Sequence, residues 1–225
     1  IVQCLDDYDI PLLLSHTVVD IHGKEHLEGV TVAEVNPKTL KPIEGTEQYY
    51  ECDTLLLSVG LIPENELTNM AGVKISQATN GAEVNENLQT SVDGVFSCGN
   101  VLHVHDLVDY VSEESAKAGI NAFKYVKGEL KENEKTLEVV NGFGVSGAVP
   151  QRISQKIDEP ISIMFRPRGV FKKAQVCVDV GDKQVATKKA RIFTPGEMVT
   201  LKFKPEYLEN AENADKITVR VEVQQ

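Results

Sequence analysis

The 225-residue sequence has no tryptophan, three methionines and only 6% aromatic residues. Its hydrophobic fraction of 41% is still adequate for a core. Basic residues are in deficit: 23 Lys and Arg face 34 Asp and Glu, leaving a net charge of −11. Such a balance disfavours a nucleic-acid or anionic-membrane partner. Cysteine is sparse. Cys4, Cys52, Cys98 and Cys177 lie tens of residues apart and form neither a Cys-x-x-Cys pair nor a zinc spacing. Reduced thiols in a cytoplasmic setting are expected. No apolar run approaches a membrane span, and no signal peptide is read. No initiator Met precedes Ile1-Val2-Gln3-Cys4-Leu5, so a piece of a longer protein is expected. The length suits one large or two small domains.

Residues 1–57 read mainly as strands. Ile10 to Ile21 is an apolar run, and Glu28 to Val35 alternates with period two. Tyr49–Asp53 leads into Thr54-Leu55-Leu56-Leu57-Ser58-Val59-Gly60, a continuous apolar run that suits a strand buried on both faces. Glu64–Met70 predicts a short helix, and Gly81–Asn87 a turn and strand. Val92-Asp93-Gly94 predicts a turn, and Val95-Phe96-Ser97-Cys98 a short buried strand ended by Gly99. Asp106 is placed to cap a long helix ending near Lys127-Gly128, with Asp109 at its positive end. Ser112, Ser115, Ala116, Gly119 and Ala122 make a small-residue stripe for close packing, with Val108, Val111, Phe123 and Val126 as larger core contacts. Strand, glycine-Asx corner and helix N-terminus together predict an anion or polar-ligand site.

Residues 131–136 predict a polar linker. Beyond it the pattern changes to short strands at Leu137–Asn141, Ile161–Arg166, Gln175–Val180, Gln184–Lys188, Val199–Phe203 and Ile217–Val223. Gly181-Asp182 and Thr194-Pro195-Gly196 supply turns, and a small β-sandwich is expected. Gly142-Phe143-Gly144-Val145-Ser146-Gly147 spells Gly-x-Gly-x-x-Gly, but Pro150 follows where a dinucleotide loop must open a helix. It reads as a glycine-rich hairpin or linker. Lys172, Lys173, Lys183, Lys188, Lys189 and Arg191 make the sandwich locally basic. A solvated face is the favoured reading, and docking to an acidic partner the sharper one.

Thr90-Ser91-x-x-Gly94-Val95-Phe96-x-x-Gly99-Asn100 resembles the second flavin-binding motif of the pyridine nucleotide-disulfide oxidoreductase superfamily. Asn100 stands where that family usually has Asp, which keeps a hydrogen-bonding group and removes its charge. Asp53 to Asn65, with Gly60 and Pro63, is similar to the family segment that returns from the NAD(P)-binding to the FAD-binding domain. The resemblance implies an α+β, β-rich fold in which a partial FAD/NAD(P)-binding α/β region precedes a β-sandwich. It divides the chain into residues 1–60 (NAD(P)-binding type), 61–130 (FAD-binding type) and 137–225 (sandwich). It implies Gly99, Asn100, His105, Asp106, Leu107 and Val108 as FAD contacts. No acid, base or nucleophile is among them, and Cys98 reads as a small core residue.

Leu14–Val18 and Gly99–Asp109 also resemble a flavoprotein reductase subgroup found beside glycerol-3-phosphate dehydrogenase. This implies a function passing electrons from NAD(P)H through FAD to an acceptor. The implied partners are the rest of the same protein and a dehydrogenase subunit, and self-association through uncovered surface is expected. The chain alone is expected to be catalytically incomplete, with FAD held weakly or not at all. The alternative is a non-enzymatic binding or scaffold module. His103-Val104-His105-Asp106 could supply metal ligands, but no further ligand cluster is visible and no metal site is expected.

Overall fold

The computed structural model describes residues 2–130, 135–209, 211 and 213–223. The chain divides into two compact units, residues 1–60 and 61–225. In the first, a short helix α1 (Val2–Asp7) precedes three strands, β1 (His16–His22), β2 (Gly29–Glu34) and β3 (Gln48–Glu51). They form an antiparallel meander in the order β1-β2-β3. The central strand β2 carries the period-two pattern, and its Val30 and Ala33 are buried. Thr54–Gly60 corrects the sequence reading. It forms no strand, and Leu56 and Val59 are 89% and 86% exposed. An apolar run becomes a strand only where a ladder partner accepts it, and none of the described residues does so here.

The second unit starts with α2 (Glu66–Met70), close to the expected helix. Residues 71–98 then run as turns and single bridges. Gly81–Asn87 forms no strand; Ala82 makes one bridge, to Ile75. Helix α3 spans Val108–Val126. Its register differs from the expected one. The buried residues are Glu114, Ala118 and Asn121, spaced as one helical face. Val108, Phe123 and Val126 face outward, as do Ser112, Ser115, Ala116 and Gly119. A helix with small residues on one side and large apolar ones on another offers two candidate inner faces, and periodicity alone does not choose between them. Residues 131–134 of the expected linker lie outside the described residues.

The remaining strands are β4 (Thr136–Asn141), β5 (Val145–Val149), β6 (Arg152–Ser154), β7 (Ile161–Pro167), β8 (Phe171–Val180), β9 (Lys183–Phe193), β10 (Val199–Phe203) and β11 (Lys216–Val223). They make a three-stranded sheet, β10-β7-β5, and a five-stranded sheet, β6-β4-β11-β8-β9. The pairs are antiparallel except β4 with β11, which is parallel. Alternate residues point inward: Ile161, Ile163 and Phe165 from β7, Val199, Leu201 and Phe203 from β10, and Ile217, Val219 and Val221 from β11. With Val176 and Val178 they fill one core between the sheets, which is the expected sandwich. The glycine-rich segment opens no helix; it carries the chain from β4 in one sheet to β5 in the other.

The sandwich and residues 61–130 are stitched together. Val149 of β5 is buried with Val73, Ala82, Val84, Leu88, Leu102 and Ala118 in a second small core. The Gln151 and Arg152 amides donate to the Val84 carbonyl at 3.1 and 3.3 Å. The Val84 amide donates to Gln151 Oε1 at 2.9 Å, and the Ser154 amide to Glu86 Oε2 at 3.1 Å.

Candidate functional site

The Thr90–Asn100 stretch forms a tight corner. The Thr90 amide donates to the Val95 carbonyl at 2.8 Å and the Ser97 amide to the Leu88 carbonyl at 3.0 Å. The expected Val95–Cys98 strand therefore shrinks to a single bridge, Gln89 with Phe96, because among the described residues its one ladder neighbour is the other arm of its own turn. Asp93 holds that turn to the helix: it accepts from Gln89 Nε2 at 2.9 Å and from the Tyr125 hydroxyl at 2.6 Å.

Gly99 opens a short 3₁₀ turn, Gly99–Val101, at φ +71°. A side chain there would be strained, and its Cβ would sit 3.3 Å from Val111 Cγ1. The turn is fixed from below. Asn65 Nδ2 donates to the Val101 and Asn80 carbonyls at 2.8 Å each. Gly81 lies so close to the Leu102 carbonyl that no Cβ would fit. Asn100 is exposed, and its Oδ1 accepts the His105 amide at 3.1 Å. The corner thus holds the loop that leads to α3.

Beneath the loop, Glu114, which the sequence reading missed, joins the two histidines weighed there as metal ligands. His103, His105 and Glu114 are all buried. The His103 Nε2–H donates to Glu114 Oε1 at 2.8 Å, and the His105 Nε2–H to Oε2 at 3.1 Å. Oε2 also accepts the Gly99 amide at 2.6 Å. The two imidazoles meet edge to face, 4.4 Å between centroids. Burial pushes the Glu114 carboxyl up, but the His103 and His105 hydrogen bonds and the Gly99 amide outweigh it and hold it below the ordinary value. Both Nδ1 atoms are buried without a hydrogen-bond partner. The signal available in the sequence was the Glu114, Ala118, Asn121 spacing on one helical face.

Asp106 does not cap α3, in contrast to the sequence reading. Leu107 occupies the N-cap position in extended conformation, with no side-chain cap bond. Asp106 turns instead to the sandwich. It pairs with Arg166 of β7 and accepts the Met198 amide at 2.7 Å. Arg166 Nη2 also donates to the Val104 carbonyl at 3.1 Å. Burial raises the Asp106 carboxyl, while the Met198 amide and Arg166 pull it below its usual value. Among the described residues no side chain caps the first-turn amides of α3, which lie beside Leu107 and Val108, 55% and 74% exposed. Gly99, Asn100, His105, Asp106, Leu107 and Val108 thus share one corner-loop-helix stretch, with the His105 ring turned inward and Asp106 toward the sandwich.

Next to the loop is a cavity of about 310 Å³ lined by Leu61, Ile62, Pro63, Ala78–Asn80, His103, Val104, Ser146, Gly147, Phe165, Arg166 and Met198. No helix among the described residues is long and apolar enough to cross a membrane.

Comparison with known proteins places this geometry in context. Residues 3–123, more than half of the chain, match the family described as pyridine nucleotide-disulphide oxidoreductase. The chain is 31% identical over 104 residues to an NADH oxidase of Methanocaldococcus jannaschii, covering 46% of this chain and 20% of that protein. It is 30% identical over 97 residues to an NAD(P)H sulfur oxidoreductase (CoA-dependent) of Pyrococcus furiosus, covering 43% and 19%. Over 60 residues it is 42% identical to the mitochondrial dihydrolipoyl dehydrogenase of Caenorhabditis elegans, covering 26% and 12%. The chain thus spans a fifth or less of the length of these relatives.

Proposed function

The chain belongs to the pyridine nucleotide-disulphide oxidoreductase family, and from that premise we propose that it supplies the C-terminal side of the flavin site of an FAD-dependent NAD(P)H oxidoreductase. The observation that carries this reading is the bare N-terminus of α3: first-turn amides with no side-chain cap, next to exposed Leu107 and Val108 and the Gly99-Asn100 corner. Apolar side chains flanking N–H donors that no side chain caps fit a flat, amphipathic ring whose polar edge accepts hydrogen bonds. When bound, FAD supplies two-electron transfer from nicotinamide to an acceptor. Gly99 lets the backbone approach the cofactor, and Asn100 orients the loop through the His105 amide. Asp106 holds the loop to the sandwich, and Leu107 and Val108 present amides and apolar surface. None of these groups moves a proton in the reading.

No glycine-rich loop that opens a helix occurs in the 225 residues, so the chain by itself is catalytically incomplete. Within the family the reading favours the subgroup found beside glycerol-3-phosphate dehydrogenase. The exposed basic residues of β8 and β9 are the surface offered to an acidic partner subunit.

The test is the visible absorption spectrum after incubation with FAD and desalting. It is taken on this chain and on the product of the complete native reading frame that contains it. The expected result is a retained flavin band for the complete product and none, or a substoichiometric one, for the 225 residues. A complete product that retains no flavin would overturn the reading.

A further inference from the structure

The histidine pair lacked a third ligand in the sequence; the fold supplies one. We propose that His103, His105 and Glu114 form a binding site for one divalent transition-metal ion of the zinc class. The three residues each offer one ligating atom, all within 4.8 Å of one another and all from buried residues. The imidazole Nε2 atoms lie 2.8 and 3.1 Å from the two carboxylate oxygens. Tetrahedral ligands about 2.0–2.1 Å from an ion stand roughly 3.3 Å apart, a spacing inside the 4.8 Å that encloses the three ligating atoms. Two imidazoles and one carboxylate suit borderline metals such as Zn²⁺ or Co²⁺ and not Ca²⁺ or Mg²⁺, which take oxygen ligands.

The unpartnered ring atoms are the second observation. Neither Nδ1 receives a hydrogen bond, so no donor locks either ring in its present tautomer. Each ring can move its proton from Nε2 to Nδ1 without breaking a bond at Nδ1, and this frees the Nε2 lone pair for a cation. The Nε2–H···O bonds to Glu114 are then exchanged for metal–ligand bonds, and no proton leaves the imidazoles. His103 also lines the 310 Å³ cavity, whereas His105 and Glu114 do not.

The test uses the 225-residue chain stripped with EDTA and titrated with Co²⁺, then Zn²⁺, without flavin, so its outcome is separate from that of the flavin reading. One equivalent of Co²⁺ should bind with visible ligand-field bands and be displaced by Zn²⁺. X-ray absorption at the zinc edge should show scattering from two imidazoles. Glu114→Gln, folded by far-UV circular dichroism, should bind at least ~100-fold more weakly, since even outer-shell losses reach that size. A wild-type chain without a saturable cobalt signal overturns the proposal, as does a zinc shell without imidazole. A folded Glu114→Gln variant that binds as tightly as wild type does so too. Should that variant fail to fold, the wild-type X-ray absorption decides.

Discussion

The Asp106–Arg166 latch can be measured by a double-mutant cycle. Both side chains are 31% exposed, so solvent screens the pair but does not swamp it. Exposed ion pairs contribute about 0.2–1 kcal/mol, and a coupling near the top of that range, about 1 kcal/mol, is expected between Asp106→Asn and Arg166→Gln. Asp106→Ala goes further, because it also removes the acceptor for the Met198 amide. Hydrogen bonds to charged groups are worth about 1.5–3 kcal/mol, so the total loss should reach about 2–3 kcal/mol. The assay is urea unfolding followed by far-UV circular dichroism, since the chain has no tryptophan to report by fluorescence. Native-state hydrogen exchange at the Met198 amide, and at the His105 amide in the loop, should speed up in the Asp106→Ala variant, because Met198 loses its acceptor and the loop its tie to the sandwich. A coupling indistinguishable from zero, with Asp106→Ala no worse than Asp106→Asn, would refute the reasoning.

Thiol reactivity should separate two cysteines. Cys4 is exposed, whereas Cys177 is buried, and burial together with Glu222 raises its thiol pKa. At mildly alkaline pH a maleimide or disulfide reagent should label Cys4 first and reach Cys177 only on unfolding; equal rates in the native protein would count against the fold of β8. The exposed apolar residues of α3, Ile120, Phe123 and Val126, together with Leu56 and Val59, lead us to expect concentration-dependent self-association of the isolated chain. Light scattering that reports a monomer across a wide concentration range would contradict it.

The sandwich was the most legible part of the sequence, since β7, β10 and β11 alternate with period two and each burial pattern follows that alternation. The same rule missed β5 and β6, where glycine and proline obscure the pattern and pairing is set by distant strands. Thr54–Gly60 shows the converse. Its composition demands burial, but composition does not say by what, and the segment lies open. At the site, the Gly99-Asn100 corner was visible as turn chemistry, whereas Asp106 was assigned to a cap by its distance from the helix alone. Arg166, 60 residues further along the chain in the sandwich, claims it instead. Glu114 was invisible because one carboxylate on a charged helix resembles any other until the loop folds over it.

The stitch at Val84 and Val149 bears on how the molecule may be cut. The polar stretch after residue 130 looks like the natural place to separate modules. Scission there would unplug the small core around Leu102 and orphan the Val84 carbonyl and the Glu86 carboxylate. The workable seam falls after Gly60, where the chain divides into its two compact units. A graft of this sandwich onto another protein would therefore have to carry residues 61–130 along, so recombination should treat the corner, its helix and the sandwich as one block.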